Sequence, residues 1–430
     1  MPPIHYGWIM LTAIVLMTFA SSGSRFSFGV FVQPMTAEFG WDRAALAGAA
    51  SMNLLMAGML RPAAGILADR IGAKAVAMLG VATAASALIL TSFTRELWQF
   101  YLAYGVLLAV GYACASPVTV TTLVGHWFVK RRSLAMSVGS VGTSLGELIT
   151  VPLAMLAVKS AGWHDAFRII AGFMLLVVLP VGALLLYNRP SDRGLKAYGA
   201  DDPSAPRRAA AGASELTLAD AVKSPQFWQL GFGFFVCGFT MSFANTHFVP
   251  FAMDMGFEDM AAANALGMVG AFSILGGLTA GYLGDRFNKR NVLATVYLLR
   301  GAAFVVMLET RPENPWTLYL ASFLLGISWT STTPLSSAIT ADRCGLRNLG
   351  TIFGTMFTVM PIGSAVGAFV AGYIYDLTHS YEISLAMNAV AGLLAGAVVY
   401  GIRDPRRPQS ATVDAASPVA SGTRALERGV

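Results

Sequence analysis

Apolar residues in this chain fill long, nearly unbroken stretches, and polar residues collect in the short turns between them. Runs near 7–35, 44–68, 73–93, 97–124, 134–158 and 165–187 are each long enough, at about 20 residues, for a helix to cross a bilayer. A second set lies near 226–253, 261–283, 291–309, 315–340, 349–375 and 382–402. The pattern predicts an all-α membrane protein of twelve transmembrane helices, six in each half. The first run differs from a secretory leader, because Met1 to Tyr6 holds no Lys or Arg and the apolar stretch far exceeds an h-region; it is read as a retained helix.

The two halves repeat each other. Gly65 to Lys74 (GILADRIGAK) and Gly281 to Arg290 (GYLGDRFNKR) share Gly-x-x-x-Asp-Arg at an offset of 216 residues. Ser116-Pro117-Val118-Thr119 matches Thr333-Pro334-Leu335-Ser336 at 217, and Arg132-Ser-Leu-Ala matches Arg347-Asn-Leu-Gly at 215. Three nearly equal offsets mean a duplicated unit, and a duplicated membrane bundle points to a transporter. From Asn188 to Ser224 the hydropathy breaks, with Pro190, Pro203, Pro206, a run of alanines and several basic residues. The expected division is a bundle at 1–187, a cytoplasmic linker at 188–225, a second bundle at 226–403 and a disordered cytoplasmic tail at 404–430. Pro117 and Pro334 remove the helical donors for Ala113 O and Thr330 O, so bends are expected in the fourth and tenth runs. Gly139, Gly142 and Gly146 share one face of the fifth run, where small residues let two helix backbones approach closely.

Composition then excludes the soluble classes. Apolar residues make up 55% of the 430 and charged ones 12%, where soluble chains carry roughly a quarter charged. The formal charge of +6 needs no nucleic-acid partner, because it follows the membrane orientation signal. One set of turns holds Arg70, Lys74, Lys130, Arg131, Arg132, Arg286, Lys289, Arg290, Arg343 and Arg347, with the basic linker and Arg403, Arg406 and Arg407; the opposite set holds only Arg43, Arg95, Lys159, Arg168 and Arg311. Both termini are therefore expected in the cytoplasm, in an inner-membrane protein surrounded by lipid. Cys114, Cys237 and Cys344 are scattered and offer neither a disulfide framework nor a metal site. There is no phosphate-cradling Gly-x-x-x-x-Gly-Lys-Ser/Thr loop, no histidine cluster and no nucleophile with an evident base, so no enzyme, cofactor or ATP drive is expected.

The two Asp-Arg turns resemble the signature loops of the major facilitator superfamily. The segment from Trp127 to Ala135 (WFVKRRSLA), followed by Gly139, Gly142 and Gly146, is similar to the fifth-span signature of the monocarboxylate transporter family. Tyr6-Gly7-Trp8 and His247-Phe248-Val249-Pro250-Phe251, with Asp254 and Gly256, agree with the monocarboxylate and oxalate/formate-exchanger branch. The resemblance implies the major facilitator fold: two six-helix bundles rocking about a central site, with Asp69, Arg70, Asp285 and Arg286 as a conformational latch. In that latch each aspartate would sit by a positive helix N-terminus while each arginine meets acceptors across the bundle. The family's substrate-binding arginine of the eighth span is absent, since Gly277 stands there, but the position 216 residues earlier is Arg61. The family's first-span lysine is replaced by Phe26, with Arg25 beside it.

Charges inside the membrane are costly and mark function. Arg25 lies 17 residues after Trp8, roughly 25 Å along a helix; Arg61 is about 12 Å before the Asp69 turn and Arg300 about 15 Å past Arg290. Glu147 is the one carboxylate well inside a run. Three guanidiniums and one carboxylate favour an anion, because the planar fork matches a carboxylate with two hydrogen bonds. Arg61 snorkelling to the cytoplasm and an Arg300–Glu147 bridge are the plainer alternatives. Glu147 is the expected proton-coupling residue, since a carboxyl loses proton affinity beside an arginine and regains it when a substrate carboxylate occupies that arginine. His247 is a second proton or hydrogen-bond site, and Asn245 and Tyr112 are further lining residues. The function expected is proton symport of small organic anions, monocarboxylates above all, by a chain working as a monomer. A carboxylate exchanger of the oxalate/formate type and a non-transporting membrane sensor are the alternatives, and a cation efflux pump would place more carboxylates than arginines in its core.

Overall fold

The structure is a computed structural model and describes residues 5–201 and 216–402. The expected tail at 404–430 and the middle of the linker lie outside the described residues. Among those described, nine helical stretches are long and apolar enough to cross a bilayer. One of them, Arg132–Leu185, is 54 residues long and holds the fifth and sixth spans. It reverses at Gly162, whose φ of 83° only glycine adopts without strain, so a single kink replaces a loop there. Two more spans are missing from the nine because each is broken. The second runs Arg43–Met59 and then Arg61–Ile71; the tenth runs Trp316–Trp329 and then Thr332–Cys344. Twelve spans result, and the fold is the all-α one that the hydropathy predicts.

The remaining spans are Tyr6–Phe39, Ala73–Thr91 and Leu97–Trp127 in the first half. In the second half the seventh is Pro225–Thr246 continued by Phe248–Asp254, the eighth Asp259–Arg286, the ninth Lys289–Leu308, the eleventh Leu349–Thr378 and the twelfth Glu382–Tyr400. Breaks follow the prolines. Before Pro117 the helix Leu108–Cys114 stops, and Ser116 caps the next one by accepting from Val118 N. Pro334 follows the break of the tenth span in the same way. In the second span the break precedes Pro62, and in the eleventh the helix Leu349–Phe357 stops at Thr358, before Pro361.

Small residues draw the helices together within each half. A Cβ at Gly142 would lie 2.1 Å from Thr18 Oγ1, so the fifth span packs backbone to backbone on the first, as its glycine face predicts. In the second half a Cβ at Gly363 would lie 2.1 Å from Phe235 O, which sets the eleventh span on the seventh in the same manner. The start of the linker docks on the first half: Tyr198 N donates to Trp127 O at 2.8 Å, and Val129 N to Tyr198 O at 3.0 Å. Its far end docks on the second half, where Leu216 N donates to Cys344 O at 3.1 Å. With an even number of spans, both described ends and both Asp-Arg turns share one side, called here the terminal face; the other is the far face.

Candidate substrate site and latch

Each Asp-Arg turn closes a helix, and its aspartate crosses to the start of a helix in the other half. Asp69 accepts from Gly350 N at 3.0 Å, from Thr351 N at 2.7 Å and from Thr351 Oγ1 at 2.7 Å. Asp285 accepts from Ser133 N at 2.9 Å and Leu134 N at 2.8 Å. The first N–H groups of a helix have no partner within it and carry its positive end, so a carboxylate there is matched twice over. Repeat-related aspartates thus meet repeat-related helix starts, and one device is used twice.

The arginines of the turns differ from the expected arrangement. Arg70 is exposed and bonded to nothing among the described residues, and Arg286 Nη1 donates to Tyr282 Oη, 3.1 Å away in its own helix. Each ends a helix, where a cation offsets the negative C-terminus without reaching across. The ion pair between the halves falls to Arg132, whose Nη1 meets one oxygen of Asp342 while Lys289 Nζ holds the other at 2.6 Å. Further in, Ser144 Oγ and Ser273 Oγ are 2.9 Å apart across the seam between the fifth and eighth spans. Across the seam between the second and eleventh, Thr358 Oγ1 donates to Gly58 O at 3.3 Å. Among the described residues, hydrogen bonds between the halves run from the terminal face inward to this depth. The molecule is fastened at the terminal face.

Where the fastening stops, two cations remain. Arg61 is the first residue after the break of the second span and is 9% exposed. Its guanidinium lies over the Phe357 ring, 4.4 Å from the centroid, and its Nη1 is buried with no acceptor. Arg25, half-buried in the first span, is near enough to repel it. Beside Arg25, Ser24 Oγ and Tyr112 Oη share a hydrogen bond of 2.8 Å, and the Tyr112 hydroxyl feels the Arg25 charge. No carboxylate of the described residues pairs with either arginine. Gly277, the repeat mate of Arg61, adds no charge and faces Thr330. Two guanidiniums with open donors thus lie in a low dielectric without a counter-charge from the described residues.

The other predicted residues stand apart from this pair. Arg300 is fully buried and its donors are engaged: Nη2 with Ser328 O and, at 3.0 Å, Trp329 O, Nη1 with Cys237 Sγ at 3.0 Å, and Nε with Ser328 Oγ at 3.4 Å. The two carbonyls end the helix Trp316–Trp329 and have lost their helical donors, so Arg300 holds the tenth-span break together. It makes no pair with Glu147, which is half-buried in the fifth span with neither a hydrogen bond nor an ion pair. His247 ties the seventh span to the eleventh through Ala368 O at 3.2 Å and to Tyr381 Oη at 3.4 Å. Asn245, two residues earlier, is exposed. Sequence reasoning missed Thr351, Asp342, Ser24 and Phe357. Thr351 was accessible through the repeat, since it lies three residues past Asn348, the counterpart of Ser133 at the offset of 215; Phe357 is one of 26 phenylalanines and carries no signal of its own.

The model of the Major Facilitator Superfamily matches residues 14–279 and 261–428. The chain is 26% identical to the uncharacterized MFS-type transporter YcxA of Bacillus subtilis, over 89% of this chain and 92% of that one. It is 25% identical to monocarboxylate transporter 12 of Mus musculus, over 94% and 87%, and 25% identical to monocarboxylate transporter 13 of Bos taurus, over 93% and 89%. Among solved structures, the E. coli fucose:proton symporter FucP superposes with a TM-score of 0.70 at 15% identity, covering 92% of this chain and 98% of that one, which supports the fold alone. The chain belongs to the Major Facilitator Superfamily and is an integral membrane transporter of small solutes, not an enzyme.

Proposed function

We propose that this transporter carries small organic anions, monocarboxylates first among them, by alternating access coupled to protons. The observation that carries the reading is Arg25 with Arg61: two neighbouring cations inside the membrane, neither paired to a carboxylate, one with a buried donor that has no acceptor. Leaving a buried charge unpaired is costly, and a substrate carboxylate relieves that cost. Tyr112, held by Ser24, orients the bound anion, and Asn245 and His247, which stand apart from the arginine pair, would line the substrate's path through the other half. Arg300 acts from behind, by holding the bend of the tenth span. The monocarboxylate transporters among the relatives support the substrate class.

In this reading the terminal face is cytoplasmic, as the Lys and Arg bias predicts. The bundles at 1–187 and 226–403, joined by 188–225, rock as two bodies within a monomer in the inner membrane. Asp69 and Asp285 release their helix N-termini when the cytoplasmic side opens, while Arg70 and Arg286 stay at the lipid and solvent edge. Glu147 is the proton site: with no bonded partner, it gains or loses a proton without breaking a contact. The test is uptake of radiolabelled lactate, pyruvate, acetate and oxalate into proteoliposomes, with and without an inward proton gradient, for wild type and Glu147→Gln. Gradient-driven accumulation that vanishes in the variant while counterflow survives is the expected result. If only a trans-loaded anion drives uptake, the protein is an exchanger and the proton role of Glu147 is wrong.

A further inference from the structure

Arg61 and Phe357 meet where two broken helices cross. Pro62 lacks the N–H that would bond Gly58 O, and Pro361 likewise leaves Phe357 O without its helical donor. These breaks, one in the second span and one in the eleventh, pack directly on each other. Thr358 Oγ1 supplies the donor that Gly58 O lost, at 3.3 Å, and a Cβ on Gly58 would meet Pro361 Cγ at 2.5 Å. The opposite seam has no such pairing of breaks, since the eighth span runs unbroken and the one proline of the fifth, Pro152, lies past Ser144 in a helix that continues to Gly162. The molecule therefore has a hinged seam and a stiff one, and the buried cation with a free donor sits at the hinge.

We propose that Phe357 is a coupling residue: it holds the Arg61 guanidinium while the carrier is empty and yields it to the substrate carboxylate, so that binding loosens the hinged seam. This rests on the reading that Arg61 binds the substrate anion. Phe357 is well placed to hold a cation from the other half. It is 3% exposed, stacked on Phe353 with centroids 5.5 Å apart and met edge-on by Phe234 at 4.9 Å, so the ring face toward Arg61 is rigid. A ring face attracts a desolvated cation, but less strongly than a carboxylate taking two charge-assisted hydrogen bonds. The anion therefore wins the guanidinium, and the halves lose a contact at the hinge at the moment the site fills. An empty carrier must break the same contact with nothing gained in return. Return of the empty carrier is then slower than passage of the loaded one, which makes exchange faster than net flux.

The experiment compares zero-trans efflux with exchange of radiolabelled lactate, or of whichever acid in the panel accumulates, in proteoliposomes of full-length protein. The variants are Phe357→Leu, which keeps an apolar filling without a ring face, and Phe357→Trp, which keeps the ring. The ratio of net efflux to exchange is expected to rise about ten-fold in Phe357→Leu, in line with the loss of a buried cation–π contact, and to stay within two-fold of wild type in Phe357→Trp. A packing role alone would alter both variants or slow both fluxes equally, and an unchanged ratio in Phe357→Leu overturns the proposal. Equilibrium binding of the same acid to Arg61→Gln separates the two layers. Affinity lost there with the ratio unmoved in Phe357→Leu leaves the anion site standing and removes the coupling role; affinity retained there overturns both.

Discussion

Arg300 and Arg61 lie at similar depths, each a few helical turns from an Asp-Arg turn, yet their surroundings separate them completely. Arg300 is engaged by two helix-end carbonyls, a hydroxyl and a thiol, whereas Arg61 has an aromatic face and a donor left open. Removing Arg300 leaves the Ser328 and Trp329 carbonyls buried without donors, at a cost of about 1–3 kcal/mol each. Arg300→Gln is therefore expected to lower the melting temperature in detergent. Arg61→Gln, which removes an uncompensated charge, is expected to leave the melting temperature level or higher while substrate affinity falls at least ten-fold. Thermal unfolding followed by ligand binding on the same preparations decides it, and a shared pattern in the two variants would show that the arginines do one job. The sequence marked both positions as functional because burial of charge is rare in either case. The acceptors that separate them sit on other helices, and no residue near either arginine in the chain announces them.

At the scale of the helix, glycine positions carry opposite consequences according to what faces them. Gly142 meets the first span so closely that an added methyl would fall 2.1 Å from Thr18 Oγ1 and 2.2 Å from Val15 O, while Gly231 has nothing within 4 Å. Gly142→Ala is expected to destabilise the protein by about 1–3 kcal/mol through overpacking. Gly231→Ala is expected to stabilise it by about 1 kcal/mol, from helix propensity alone. Opposite shifts in thermal unfolding bear this out, and a loss in both would mean that Gly231 packs against something. The small-residue face of the fifth span was legible in its i, i+3, i+7 spacing, and so were the breaks near Pro117 and Pro334. The breaks in the second and eleventh spans went unread, because their prolines interrupt no hydropathy and matter only through the way they face each other.

Across the whole molecule, the two halves are joined by seams that hold at the terminal face. Ser144 and Ser273 lie at the inner limit of one seam, their hydroxyls 2.9 Å apart, so cysteines at the two positions would point at each other across it. In a background with the partly exposed Cys114 and Cys344 replaced by serine, Ser144→Cys with Ser273→Cys is expected to stop transport on oxidation and to recover it on reduction. The single variants, treated identically, keep their activity. Transport that persists through the cross-link would mean that this seam does not part during the cycle.

Hydropathy and repetition are properties of the order of residues along one chain, so the twelve spans, the duplication, the Asp-Arg turns and the buried charges were determined by the sequence alone. Partnership is not such a property. Asp69 finds its helix start 281 residues away, and Arg61 finds Phe357 across the boundary between halves. Only the tertiary structure could decide that the aspartates and not the arginines fasten the turns, and that of the intramembrane arginines one holds a bend while two keep open donors. The reason is that a buried charge takes its role from the groups that desolvation forces against it, and those groups come from spans the linear order keeps apart.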